Sequence, residues 1–123
     1  MTQPNLEKLK LILDEMKNTG NLEGIFLAYR DGGLITENLN KNIDGNKFSS
    51  MCASVLESAE ELGKTIEDKK IKKIITEIEK RSILIFKCDE KVFLTVIINE
   101  ESKIGLIFDQ LETYIQQILD EFY

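Results

Sequence analysis

Three short runs in this chain are apolar on both sides of the backbone: Gly24-Ile25-Phe26-Leu27-Ala28-Tyr29, Ser82-Ile83-Leu84-Ile85-Phe86-Lys87 and Val92-Phe93-Leu94-Thr95-Val96-Ile97-Ile98. A strand sends successive side chains to opposite faces, so a strand apolar at consecutive positions must be covered twice. The chain therefore needs a sheet with helices above and below it. Its 123 residues allow one such core, and a single domain over residues 1–123 is expected. The 42% of apolar and 31% of charged residues suit a soluble globule and are too balanced for a disordered or membrane-embedded chain.

Helical periodicity supplies the cover. Leu6, Leu9, Ile12, Leu13 and Met16 fall on one stripe behind Pro4, and Asn18-Thr19-Gly20-Asn21 stops it. Phe48, Met51, Cys52, Val55, Ala59, Leu62 and Ile66 form a second stripe, expected to face the core. Small residues flank it, Ser49 and Ala53 on one side and Ser54 and Ser58 on the other. A third stripe, behind Ser102 as the expected cap, runs through Ile104, Ile107, Phe108, Leu111, Ile115, Ile118, Leu119 and Phe122.

Between the first strand and Leu34-Ile35-Thr36-Glu37-Asn38 lies Asp31-Gly32-Gly33, a hairpin turn, and the second strand, polar through its later half, is expected as an edge. Ile71 to Glu79 alternates with period two, Ile74, Thr76 and Ile78 on one face and Lys73, Ile75, Glu77 and Glu79 on the other. The expected order is α-β-β-α-β-β-β-α, an α/β fold with a meandering five-stranded antiparallel sheet and helices on both faces.

Most chemistry is absent from this sequence. Without histidine there is no histidine-based general acid, triad or metal site. Cys52 and Cys88 have no CxxC spacing and read as buried thiols of a reducing cytoplasm. Gly63-Lys64-Thr65 imitates the end of a P-loop but closes a helix, so Gly63 is read as a helix-ending C′ glycine. Glu57, Glu60 and Glu61 are read as a solvated helix face. With 16 basic against 22 acidic residues the net charge is −6, which disfavours nucleic acid and anionic membranes as partners. The Lys69-Lys70-Ile71-Lys72-Lys73 run lacks interleaved aromatics and is followed by acids. No run reaches the ~18 apolar residues of a membrane span. No catalytic residue, cofactor or metal is expected, and the protein is expected in the cytoplasm.

The segment Ile71 to Glu79 carries the strongest functional signal, because it is basic in its first half and acidic in its second. Paired antiparallel with its own copy it is self-complementary: a register centred on Ile75 sets Lys73 opposite Glu77, and one centred on Thr76 sets Lys73 opposite Glu79. An edge strand merely protected by its charges is the competing explanation. The expected interface comprises Lys73, Ile74, Ile75, Thr76, Glu77, Ile78 and Glu79 with Met51, Ser54 and Ser58 of the second helix, whose small flank allows a second helix to approach.

Three places give the chain a resemblance to the Roadblock (dynein light-chain) domain family: Leu22-Glu23-Gly24-Ile25-Phe26-Leu27-Ala28 running into Asp31-Gly32, the helical Met51-Cys52-Ala53-Ser54-Val55-Leu56, and Leu94-Thr95-Val96-Ile97 leading into Ile104-Gly105-Leu106. Gly33 and the lysine-rich third strand depart from the family pattern. The resemblance implies a profilin- and PAS-like topology and a dimer, with itself or a relative, joined through third strands and second helices. It also implies a non-enzymatic platform that binds and regulates a Ras-like small GTPase, as the bacterial polarity-switch regulators do, or a subunit of dynein or of a lysosomal signalling scaffold. The alternative from the residues is a PAS- or GAF-type small-molecule sensor, which needs a roomy internal pocket.

Overall fold

The computed structural model describes residues 3–123. Helix α1 (Leu6–Gly20) is followed by strands β1 (Gly24–Tyr29) and β2 (Leu34–Asn38), helix α2 (Gly45–Lys64), strands β3 (Lys73–Ile78), β4 (Arg81–Lys87) and β5 (Val92–Ile98), and helix α3 (Ile104–Asp120). The expected element order is the observed one.

The five strands form one antiparallel sheet in the order β2-β1-β5-β4-β3. This corrects the expected meander: β1-β2 and β3-β4-β5 are consecutive runs, and β5 returns to lie beside β1. The reason is burial. β1 and β5 are apolar on both faces and take the middle, leaving the half-polar β2 and β3 as edges. Helix α2 carries the chain from one edge to the other.

Alternation along the central strands divides the core. Ile25 and Leu27 of β1, Leu84 and Phe86 of β4, and Leu94 and Val96 of β5 meet Leu9, Leu13 and Met16 of α1 and Ile107, Tyr114 and Ile118 of α3. Phe26, Ala28, Ile85 and Phe93 point the other way, against Cys52, Ala53 and Leu56 of α2. One face is thus covered by two helices and the other by one.

Local signals place the helix ends. The Asn5 side chain accepts from the Lys8 amide at 3.1 Å and that of Asp44 from the Lys47 amide at 3.2 Å, opening α1 and α2. Asn21, at φ 47°, closes α1 in the left-handed conformation. Two expectations fail. Ser102 does not cap α3; its hydroxyl accepts from the Asn99 amide and donates to the Asn21 carbonyl, tying the β5–α3 turn to the end of α1. Gly63 is not a C′ glycine, because α2 continues through Lys64 and ends at Thr65 in right-handed geometry. A Cβ on Gly63 would lie 2.2 Å from the Lys69 carbonyl oxygen, so glycine is there for close backbone approach.

Candidate interaction surface

Helix α2 sits on the sheet by its small residues. Ser49, Cys52, Ala53, Leu56 and Gly63 are its buried positions. The sheet beneath is bulky, with Phe26 edge-on to Phe93 at 5.9 Å; Phe48 of the helix's first turn packs edge-on to Phe26 at 5.4 Å, and beyond it mostly small side chains let the helix settle. The Ser49 hydroxyl donates to the Gly32 carbonyl at 2.7 Å, pinning the start of the helix to the hairpin. Gly32 itself has φ 98°, and a Cβ there would meet the Ser50 backbone at 2.9 Å.

This placement rotates the stripe expected to face the core. Met51 is 59% exposed, Leu62 65%, and Val55 and Ile66 are exposed as well. Ser49 and Ala53, expected as a flank, are buried instead. Spacing alone could not choose between the two sides, since both satisfy i, i+3, i+4; the signal was size, small residues opposite large strand residues.

Beside this outer face runs the free edge of the sheet. β3 pairs with β4 alone, from Lys73 opposite Phe86 to Ile78 opposite Arg81, so its other side presents unpaired backbone groups. Ile74 of β3 and Ser54, Val55, Ser58, Ala59 and Leu62 of α2 line a mostly apolar trough of about 430 Å³ between helix and edge. The structure therefore brings the expected residues Ile74, Ser54 and Ser58 into one trough, with Met51 nearby on the outward side of α2. Ile75 and Ile78 are each 51% exposed within the single chain. Thr76 and Glu77 lie exposed in the strand. Glu79 does not belong to it: at φ 54° it sits in the turn to β4. Ile71 likewise precedes the strand, so the self-complementary segment is Lys73–Ile78.

A second cleft, of about 450 Å³, opens where the C-terminal half of α2 meets the ends of β1 and β4. Here the expected solvated acids separate. Glu60, 21% exposed, accepts hydrogen bonds from Arg30 and, at 2.9 Å, from Lys87, which also reaches Glu90 at 2.8 Å. Hydrogen bonds to Glu60 and then Glu90 hold the Lys87 ammonium above its ordinary range. The network fastens α2 to β1 and β4. Its charges are paired within the chain, with Arg30 Nη1 alone buried without a hydrogen-bond partner.

Neither cysteine is an activated nucleophile. Burial pushes the Cys52 thiol up to about 11, and burial with the nearby Asp89 raises Cys88 to about 12. Among the described residues there is no cluster of three metal-ligating groups and no helix long and apolar enough to cross a membrane.

An antiparallel sheet ordered 2-1-5-4-3, with two helices on one face and one helix beside an open edge on the other, defines a Roadblock/profilin-like α/β protein. The Roadblock/LC7 domain model matches residues 8–98, and the chain belongs to that family. It is similar in structure to MglB of Myxococcus xanthus, with a TM-score of 0.89 and 22% identity over 99% of this chain and 92% of that one. MglB of Thermus thermophilus, a gliding protein, superposes with a TM-score of 0.86 at 12% identity, covering 98% of this chain and 93% of that one. Profilin II of Acanthamoeba castellanii shares the fold, with a TM-score of 0.64 at 11% identity over 94% of this chain and 99% of its own. A search of curated protein sequences returns no match. Membership of the Roadblock/LC7 family fits a GTPase-regulating or scaffolding role.

Proposed function

We propose that this protein is a non-enzymatic homodimeric platform that binds and regulates a Ras-like small GTPase. The observation that carries the reading is the apolar outer face of α2 lying beside the unpaired, self-complementary edge of β3. Because Glu79 has left the strand, the register centred on Ile75 keeps the charge pairing: Lys73 faces Glu77 twice across the two-fold axis. Ile74, Val55 and Leu62 then supply apolar burial, and the backbone ladder supplies the rest. Exposed charge pairs of this kind contribute about 0.2–1 kcal/mol each, so they choose the register more than they set the affinity.

Regulation by such a platform needs no catalytic group of its own. The absence of histidine from the sequence, the closed ion network around Glu60 and the inert thiols all favour a role through binding. The net charge of −6 suits a GTPase with a basic contact surface, whose association would weaken with salt. A small-molecule sensor would bury its ligand, whereas both concavities described here are open surface features.

Light scattering tests the first half: a dimer is expected at about tens of micromolar, and a monomer there overturns the proposal. For the second half, the purified protein is expected neither to hydrolyse GTP nor to retain nucleotide. Nucleotide bound at Gly63-Lys64-Thr65 would contradict it.

A further inference from the structure

Helices α1 and α3 run antiparallel over one face of the sheet, because the Lys103 amide donates to the Gly20 carbonyl at 2.7 Å and ties the end of α1 to the start of α3. The first turns of α1 therefore lie beside the last turns of α3. Leu9, Leu13 and Met16 turn toward the sheet, whereas Leu11 is 67% exposed. It lines an open, largely apolar groove of about 290 Å³ with Lys8, Ile12, Gln117, Asp120 and Glu121. Two aromatic residues follow at the end of α3. Phe122 lies edge-on to Tyr29 at 6.3 Å and 6.4 Å from Tyr123, whose hydroxyl donates to Asp89 at 2.8 Å. That bond fixes a ring that is 75% exposed, and a side chain fixed in advance loses little freedom when something docks on it.

Charge at this end is lopsided. A helix C-terminus carries the negative end of the helix dipole and favours a cation there. Helix α3 has no basic residue from Ile104 to Asp120, and two acids, Asp120 and Glu121, stand at its end. Neither takes part in an ion pair among the described residues; Asp120 accepts a hydrogen bond from Gln116 at 2.8 Å. The Lys91 ammonium rests 5.8 Å from the Tyr123 centroid, so this ring already attracts one cation. Lys8 is the one basic residue lining the groove.

We propose that this groove and the rings beyond it form a docking site for an amphipathic helix of a partner protein, apolar where it meets Leu11 and Ile12 and carrying arginine or lysine where it passes Asp120, Glu121 and Tyr123. Apolar i, i+3 and i+4 positions fill a groove between two helices, and the partner's cations complete a helix end that this chain leaves acidic. A second copy laid groove to groove fits poorly, because each groove offers one cation for two acids and meets its own sign. An anionic lipid surface is repelled for the same reason. Helix α1 lies over β2, where Asn38 donates to Asp14 at 2.7 Å and accepts from Lys17 at 3.0 Å, and β2 and β3 are opposite edges of the sheet. No residue of the site belongs to β3 or α2, so the dimer proposed above leaves it open and the site does not depend on that dimer.

The test uses two synthetic helical peptides of about 18 residues, leucine on one face and either arginine or glutamate on the other, titrated by fluorescence anisotropy against the full chain. The arginine peptide is expected to bind at least about tenfold more tightly than the glutamate peptide. Leu11→Ser, and separately the pair Asp120→Lys with Glu121→Lys, should each weaken it by about tenfold. The lysine pair should melt no lower than the wild type, since cations suit a helix C-terminus, so lost binding is not lost folding. If it does melt lower, Leu11→Ser and Tyr123→Leu, at exposed positions, decide the question instead. Tyr123→Leu should weaken the peptide by about threefold, while Tyr123→Phe, which keeps the ring, should stay within about twofold. The pair Glu100→Lys with Glu101→Lys, exposed before the opposite end of α3, changes net charge equally and should leave binding within about twofold. Equal weakening by that pair would reduce the effect to general charge attraction and overturn the proposal. Unchanged affinity in Leu11→Ser, in the Asp120/Glu121 pair or in Tyr123→Leu would also overturn it. Assembly of the wild type beyond a dimer that Leu11→Ser abolishes would identify a second copy as the occupant and likewise refute the proposal. Val55→Glu, aimed at the α2 seam, should leave peptide binding unchanged, so failure of the dimer and failure of this site are read separately.

Discussion

The two sides of α2 invert the usual relation between size and burial. Its inner side is built from Ser49, Cys52, Ala53, Leu56 and Gly63, while Met51, Val55 and Leu62 stand in solvent, with Ile66 exposed just beyond its end. On α1 and α3 the buried positions are large, Leu9, Leu13, Met16, Ile107, Tyr114 and Ile118, apart from Gly20 at the end of α1. A helix that spends its small residues on the fold and its large ones on the surface has two packing partners, one inside the chain and one outside it. The same division runs through β3, whose paired side completes the sheet and whose free side remains a template.

That contrast yields graded expectations. The largest effect belongs to the inner side, where Leu56→Ala should cost about 2–5 kcal/mol in folding free energy by denaturant titration. A cost below about 1 kcal/mol would mean that α2 packs loosely on Phe26 and Phe93. On the outer side, Val55→Glu or Leu62→Glu should abolish the dimer by light scattering. The dissociated chain should keep its secondary structure and lose only the stability that association supplied. If either variant unfolds the isolated chain, the outer side belongs to the core after all.

A smaller effect comes from the edge strand. Lys73→Glu should weaken the dimer, and Glu77→Lys in the same chain should restore it in part, the pair being worth about 0.2–1 kcal/mol per contact. Restoration stays incomplete because Lys73 also rests on Phe108. Glu79→Lys should restore nothing, since Glu79 lies in the turn; rescue by Glu79 would move the register to Thr76.

The smallest effect is with pH. A hydrogen bond from Lys10 leads the causes that hold the Asp14 carboxyl below its ordinary value. For Asp89, burial pulls upward, but the amides of Lys91 and Val92 and the Tyr123 hydroxyl prevail and hold it low. A carboxyl lowered by folding adds stability above its unfolded value, and that stability is lost as pH falls through the folded one. With no histidine to titrate, the unfolding midpoint should be flat between about pH 5 and 8 and decline only below about pH 4. A transition near pH 6.5, the usual range of histidine, would contradict this assignment.

Much of this architecture was legible in the residues. Period-two and period-3.6 patterns placed all eight elements, and the doubly apolar β1 and β5 identified themselves as central. What escaped was three-dimensional. Periodicity defined an apolar stripe on α2 but not which shoulder of it meets the sheet, because that depends on Phe26 and Phe93, distant in sequence. The partial burial of Glu60 depended on Arg30 and Lys87, from strands some thirty residues away on either side. Gly63 was read locally as a helix terminator, although its reason is the returning backbone at Lys69. Of the expected interface, Ile74, Ser54 and Ser58 line one trough.

The most direct test of a seam along β3 is amide hydrogen exchange of residues 73–78 as a function of protein concentration. Only half of these amides can be satisfied by β4, and the rest point to the free edge. The account predicts that the edge-facing amides exchange quickly in dilute solution and become protected, in an alternating pattern, as the dimer forms. A protein that is dimeric by light scattering while those amides exchange at one unchanged fast rate would place the seam elsewhere and contradict the account.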